Sequence, residues 1–235
     1  MRARTLADHC RACGTPLAGI LGKVMRFFGK RRGEKHDDLC NSCERKFDKG
    51  KLAELTVFFA DLVGFTSMTN EVGAEESFNI VNAFFKSGQD AFARNGAHID
   101  KYIGDAMMVL FNVPKRCDDF ARKALASALE LQRGMPKLSE NIGRELKARV
   151  GMATGYARVG HVGSRLRKDY TVIGEVVNLA SRLEAAAAPG EIVMDNNTYE
   201  KVGEETPEIP EELVSLKGFK AQVGARRVKV EKVPL

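Results

Sequence analysis

No apolar run in this 235-residue chain approaches the ~20 residues that a membrane-spanning helix needs. The N-terminus lacks the basic start, apolar core and small-residue cleavage site of a secretory signal, so a cytoplasmic location is expected. There is no fixed-period repeat, no glycine-aromatic RNA-binding motif and no helix-turn-helix pattern, which makes nucleic acid an unlikely partner. The stretch Gly160-His-Val-Gly-Ser-Arg-Leu166 is too poor a match to a dinucleotide fingerprint to suggest a Rossmann fold. Cysteine is scarce, five in all, but four of the five fall in two close pairs.

What is present reads as one ordinary domain with a small basic appendage. Hydrophobic content of 44% and charged content of 29% are those of a globular protein. The net charge of +6 is uneven: residues 1–51 hold 13 Lys/Arg against 6 Asp/Glu, and the remainder holds 24 against 25. The boundary falls near residues 47–52, giving a module over 1–50 and a domain over 51–235.

In the module, Cys10-x-x-Cys13 and Cys40-x-x-Cys43 provide four thiols in two clamps, the arrangement tetrahedral Zn²⁺ favours. A structural zinc in a zinc-ribbon-like module is expected, although His9 or His36 could replace one ligand and redox-active thiols are the alternative. Cys117 is left over and reads as a plain core or surface thiol. Leu17, Ile20, Leu21, Val24 and Phe28 recur at helical spacing among Lys23, Arg26, Lys30, Arg31 and Arg32. Such a basic amphipathic helix can lie on a membrane surface or contact nucleic acid. The favoured expectation is that its apolar stripe packs on the zinc module or on the main domain, with the charges solvated.

In the main domain, Asp61 follows the apolar run Leu55–Ala60, and Asp105 sits in a glycine turn between strand-like runs at His98–Tyr102 and Ala106–Phe111. Carboxylates beside such turns can hold Mg²⁺ against a polyphosphate, although Asp is also a common turn former. Helices are expected at Glu75–Asn95, at Ala121–Arg133 (capped by Asp118 or Asp119, stopped by Gly134 and Pro136) and at Glu175 to about Ala187. Further strands are expected at Lys147–Ala153 and Ala157–His161 with a Thr154-Gly155 join, then at Tyr170–Ile173, Glu191–Met194, Glu212–Leu216 and Ala225–Val230. A polar loop spans Thr206–Glu212. The pattern suits an α/β (α+β) sandwich on a mixed, mainly antiparallel sheet.

The segments FFADLVGFTSM, IDKYIGDAMMVLF, GMATGYARVGHVGS, DYTVIGEVVNLASRLE and VSLKGFK, in this order, resemble the class III nucleotidyl cyclases, from about Leu52 to Val230. These enzymes convert ATP or GTP to a 3′,5′-cyclic nucleotide and pyrophosphate on a ferredoxin-like, palm-like core. The resemblance implies that Asp61 and Asp105 bridge two Mg²⁺ or Mn²⁺ ions, with the carbonyl of Leu62 or Val63 as a further ligand. It also implies that Gly64, Phe65 and Thr66 cradle the triphosphate, with amides around Val63–Thr66. Asn178 matches the ribose-orienting Asn and Arg182 the transition-state Arg; Lys217 matches the triphosphate Lys, with Lys220 close by. Lys101 and Thr171 match the base-selecting pair of a bacterial-type adenylyl cyclase, where guanylyl cyclases typically place Glu and Cys. Glu175 departs mildly from the family's usual Asp or Asn. In this family one site draws residues from two subunits, so a homodimer making cyclic AMP from ATP for intracellular signalling is expected. A guanylyl cyclase, or a catalytically inactive cyclase-like binding or dimerisation module, is the alternative.

Overall fold

A computed structural model describes residues 8–10, 12–33, 39–48, 50–164, 168–203 and 208–230. His36, residues 204–205 and residues 206–207 of the expected polar loop lie outside the described residues. The chain forms two compact units. The larger comprises Glu54–Asn112, Cys117–Ala157 and Gly174–Leu235; the smaller joins Met1–Ala53 to Val113–Arg116 and Arg158–Ile173.

The larger unit is built on a sheet whose central strand, β1 (Lys51–Leu62), is buried throughout Leu55–Ala60. A near-continuous apolar run needs such cover. It pairs antiparallel with β3 (Ala106–Phe111), with Ala60 opposite Met107, and β3 pairs antiparallel with β2 (His98–Ile103). On its other side lies β4 (Ala148–Gly163), which runs parallel to β6 (Ile192–Asp195). β8 (Val223–Val228) is antiparallel to both β6 and the edge strand β7 (Glu211–Val214), giving the order β2-β3-β1-β4-β6-β8-β7. Two long helices, α3 (Phe65–Arg94) and α4 (Phe120–Ile142), bury Phe84, Phe92, Leu125 and Leu131 in one core with Phe58, Met107 and Phe111 of the sheet. Phe92 meets Phe58 edge-on at 5.4 Å, a favourable aromatic geometry. This antiparallel-rich mixed sheet with helical cover is the expected class of fold.

Several local expectations are corrected. β4 runs as one 16-residue strand through Thr154-Gly155. The Thr154 hydroxyl is buried yet satisfied by Thr56 at 2.7 Å and Thr198 at 2.8 Å, so it needs no turn to reach a partner. α4 continues past Pro136 to Ile142, although proline deletes a helical hydrogen bond. Burial of Met135 and Leu138, and a Ser139 hydroxyl bridging the Met135 and Leu146 carbonyls, hold the last turns. Asp119 occupies the N-cap of α4 in a left-handed conformation and makes no side-chain cap bond. The helix expected to begin at Glu75 extends back to Phe65 as α3, broken at Gly73 (φ 79°). A short helix, α6 (Asn196–Val202), was not expected from apolar spacing; Asp195 caps it by accepting from the Thr198 amide at 3.0 Å.

In the smaller unit, Arg158–Gly163 of β4 pair antiparallel with β5 (Lys168–Ile173), Gly160 opposite Thr171. The unit also carries α1 (Gly19–Phe27) and α2 (Asn41–Asp48). The expectation that the apolar stripe of α1 packs away is overturned: Ile20, Leu21, Val24, Phe27 and Phe28 are all exposed, and only Leu17, ahead of the helix, is buried. Gly22 holds the inward side instead.

Candidate active site

Antiparallel pairing of β1 with β3 brings the end of one strand beside the turn that opens the other, and so brings Asp61 to Asp105. Gly104 (φ 64°) makes that tight turn possible. Asp105 is half-buried, and burial is the first cause that lifts its pKa to about 7. A hydrogen bond shared with Asp61, and the charge of Asp61, lift it further, against the opposing pull of its own amide and that of Leu62. Two carboxylates this close, beside a turn, are a ligand set that suits a divalent cation. The residues present therefore fit a Mg²⁺ or Mn²⁺ ion.

Immediately after Asp61 the chain turns into α3. Gly64 stands at its N-cap with φ 72° and no side-chain cap bond. The first intrahelical bond is Met68 N–H to Gly64 O at 3.0 Å, so the Phe65 and Thr66 amides lie ahead of the helical ladder and can meet an anion. The Val63 amide cannot join them, because it donates to the Lys147 carbonyl at 2.9 Å. That narrows the expected cradle of Val63–Thr66 amides; the Val63 carbonyl is a separate matter.

A third group was missed from sequence. Arg149 on β4 donates from Nη2 to Asp61 Oδ2 at 2.9 Å and ion-pairs through Nε with Glu184 Oε1 at 2.5 Å, the latter without hydrogen-bond alignment. Burial alone would lower the Arg149 pKa, but the bond to Asp61 and the charges of Glu184 and Asp61 hold it above its ordinary value. Burial likewise pushes Glu184 up to about 7 despite the opposing charge of Arg149. Arg149 stands just before the GMATG segment in a run expected only to form a strand. Its one available signal was a charge interrupting that run.

Glu184 comes from α5 (Glu175–Ala186), whose Val176, Ala180, Leu183 and Glu184 face inward. Asn178 and Arg182, four residues apart, share the opposite, exposed face with Glu175. Gly151 of β4 lets α5 sit close: a Cβ there would lie 2.0 Å from the Glu184 amide nitrogen and 2.4 Å from the Ala180 carbonyl oxygen. Lys101 lies on β2, where a register irregularity between Ile99 and Lys101 accompanies an ion pair from its Nζ to Asp100 Oδ2 at 3.0 Å. Thr171 is buried on β5 in the smaller unit. Lys217 is exposed in the turn closed by Phe219 N–H to Leu216 O at 3.1 Å, and Lys220 is exposed just beyond it. Thus one cluster joins Asp61, Asp105, Arg149 and Glu184, while Asn178 and Arg182 form a separate exposed pair. A cavity of about 850 Å³ lined by Gln132, Arg133, Pro136 and Lys147 contains none of the expected site residues.

Comparison with known proteins decides the family. The family described as "Adenylate and Guanylate cyclase catalytic domain" matches residues 47–225, well over half of the chain. The chain belongs to the adenylate and guanylate cyclase catalytic domain family. An adenylate cyclase of Mycobacterium tuberculosis (strain H37Rv) is 31% identical over 159 residues, covering 68% of this chain and 36% of that protein. The chain thus spans about a third of the length of such curated relatives. The adenylyl cyclase CyaB of P. aeruginosa superposes with a TM-score of 0.73 at 32% identity, covering 77% of this chain and 96% of that one. The guanylyl cyclase Cya2 does so with a TM-score of 0.72 at 31% identity, covering 76% and 92%.

Ahead of the cyclase domain stands the cysteine cluster. The sulfurs of Cys10, Cys13, Cys40 and Cys43 all lie within 4.8 Å of one another, and none is in a disulfide. Cys13 and Cys40 are 3.7 Å apart, close to the ~3.8 Å separation that a tetrahedron with 2.3 Å Zn–S bonds requires. The Cys40 amide donates to Cys10 Sγ at 3.2 Å, and Thr15 Oγ1 lies 3.0 Å from Cys13 Sγ, contacts that favour thiolate. The donor set could hold a metal ion, and its all-sulfur chemistry suits zinc. His9 is outside this cluster.

Proposed function

We propose that the cyclase domain is an adenylyl cyclase that converts ATP to 3′,5′-cyclic AMP and pyrophosphate. The observation that carries this reading is the Asp61–Asp105 pair, brought together by the β1–β3 pairing beside the start of a helix with no side-chain cap. The pair supplies a divalent-cation site and an anion site at one place. Asp61 and Asp105 would hold a divalent cation, which would lower the pKa of the ribose 3′-hydroxyl and stabilise charge on the departing pyrophosphate. The 3′-oxygen forms a bond to the α-phosphorus as the bond from that phosphorus to the β-phosphate bridging oxygen breaks, and the hydroxyl proton is released. Arg149 brings positive charge to the same edge, Lys217 binds the triphosphate, and the Phe65 and Thr66 amides beside Gly64 donate to its anionic oxygens. Asn178 orients the ribose and Arg182 meets charge developing on the α-phosphate.

Exposure of Asn178 and Arg182 in one chain supports a shared site, completed by a second copy in a homodimer. Lys101 and Thr171 favour ATP: an ammonium donates to adenine N1, and a hydroxyl accepts from its amino group. Likeness to the guanylyl cyclase Cya2 keeps GTP as the second reading. The cysteine module, proposed to end near residue 50, takes a structural Zn²⁺ in this account. The test is product formation from ATP and from GTP with Mg²⁺ or Mn²⁺. Cyclic AMP from ATP supports the assignment, preferential cyclic GMP moves it to the second reading, and no product from a folded dimer contradicts both.

A further inference from the structure

The helix α1 faces the wrong way for a piece of protein core. At 100° per residue, Ile20, Leu21, Val24 and Phe27 fall within an arc of about 120°. That arc points to solvent, with Ile20 82%, Leu21 63% and Phe27 88% exposed. Phe28 continues the patch at 71% exposure, its ring edge-on to Phe27 at 5.6 Å. The inward side is held by Gly22, where an added Cβ would meet the Leu17 carbonyl carbon at 2.7 Å. The helix is therefore seated closely at Gly22, where a side chain would not fit without displacing the backbone.

Charge on the flanks names the occupant. Lys23 is exposed about 40° beyond Phe27 at the edge of the apolar arc, and Lys30 follows the helix; Arg26, also exposed, lies on the far side near Gly22. From Gly14 to Gly33 there are five basic residues and no acidic one. Gly19 (φ 68°) and Gly29 (φ 76°) bound the helix to nine residues, about 14 Å. That is half a hydrocarbon core, too short to cross it and suited to lying in its surface. A second copy of the chain would bring two sets of like charges together. An anionic bilayer instead offers acyl chains and negative headgroups in one plane.

We infer that α1 is an interfacial anchor, which seats Ile20, Leu21, Val24, Phe27 and Phe28 in the surface of an anionic membrane with Lys23 and Lys30 on the headgroups. This stands apart from the cyclase reading and uses none of its residues.

The chain has no tryptophan, so Phe27→Trp in the full-length protein is a single-site reporter. Its fluorescence and sedimentation would be followed with phosphatidylcholine vesicles and with vesicles containing 30% phosphatidylglycerol. A blue shift and co-sedimentation on the anionic vesicles are expected, with far weaker binding to the neutral ones. Lys23→Gln and Lys30→Gln should each weaken partitioning about fivefold. Ile20→Ser with Phe28→Ser should weaken it at least tenfold, with the fold checked by circular dichroism. No shift on anionic vesicles at low salt overturns the proposal. So does binding that survives the serine pair, which would be charge attraction alone, or a shift that follows protein concentration without vesicles, which would mark a second copy of the chain.

Discussion

Replacing Arg149 by Met should destabilise the metal-free cyclase domain more at pH 8 than at pH 5. Arg149 stands between Asp61 at 2.9 Å and Glu184 at 2.5 Å, with side chains 32%, 16% and 11% exposed respectively. Breaking a fully buried ion pair costs about 3–5 kcal/mol, and an exposed one about 0–1. Partial exposure places this site near 2 kcal/mol at pH 8. The pH dependence follows from Asp105 and Glu184, both raised to about 7. Between about pH 4 and 7 the folded state binds more protons at these groups than the unfolded state does, so their contribution to stability falls as pH rises through that window. Removing the guanidinium pushes carboxylate pKa values higher still. At pH 5 protonation relieves most of the unpaired charge, leaving a cost of about 1 kcal/mol or less. Urea unfolding of wild-type and Arg149→Met protein at both pH values reads the difference. An equal cost at both, or a larger one at pH 5, would refute the placement of Arg149 among these carboxylates.

Gly151→Ala should damage catalysis without touching a catalytic group. Its Cβ would lie 2.0 Å from the Glu184 amide and must push α5 outward by about 1 Å, enough to cost on the order of 100-fold in kcat/KM by displacing Asn178 and Arg182; unchanged kinetics in a folded variant would contradict the packing. Lys101→Glu combined with Thr171→Cys should shift the kcat/KM ratio from ATP towards GTP by at least tenfold, and a ratio that does not move would remove these two residues from base selection. Chelating metal from the cysteine cluster, then resupplying Mn²⁺ for the active site, should lower the melting temperature of the full chain and release one zinc per chain; a preparation that yields no zinc would overturn the assignment.

Contiguous chemistry was legible in the sequence, and long-range contact was not. The runs ending at Asp61 and enclosing Asp105 are strands, and the resemblance to cyclases extends over nearly the region the family match covers. The cysteine pairs converge as their spacing suggested. Arg149 and Glu184 were illegible because their significance arises only when β4 and α5 pack, 35 positions apart in the chain. The Thr154-Gly155 join looked like a turn because the threonines that satisfy its buried hydroxyl lie far off in sequence. Pro136 looked like a helix stop because local cost was weighed without the burial of Met135 and Leu138. In α1 the periodicity was right and its direction was not, since spacing shows that a helix has an apolar face but not what that face meets.

The central claim, an active site shared between two identical chains, is tested most directly by mixing two inactive variants. Asp61→Asn removes the proposed metal carboxylate and Arg182→Ala the proposed transition-state cation, so each homodimer should be inactive with ATP and Mn²⁺. Mixed in equal amounts and allowed to exchange, they should recover about a quarter of wild-type activity, because half the dimers are mixed and each carries one intact site. Recovery that rises with incubation time and falls on dilution is the predicted result. No recovery, despite mixed dimers shown by differently tagged chains, would contradict the shared site.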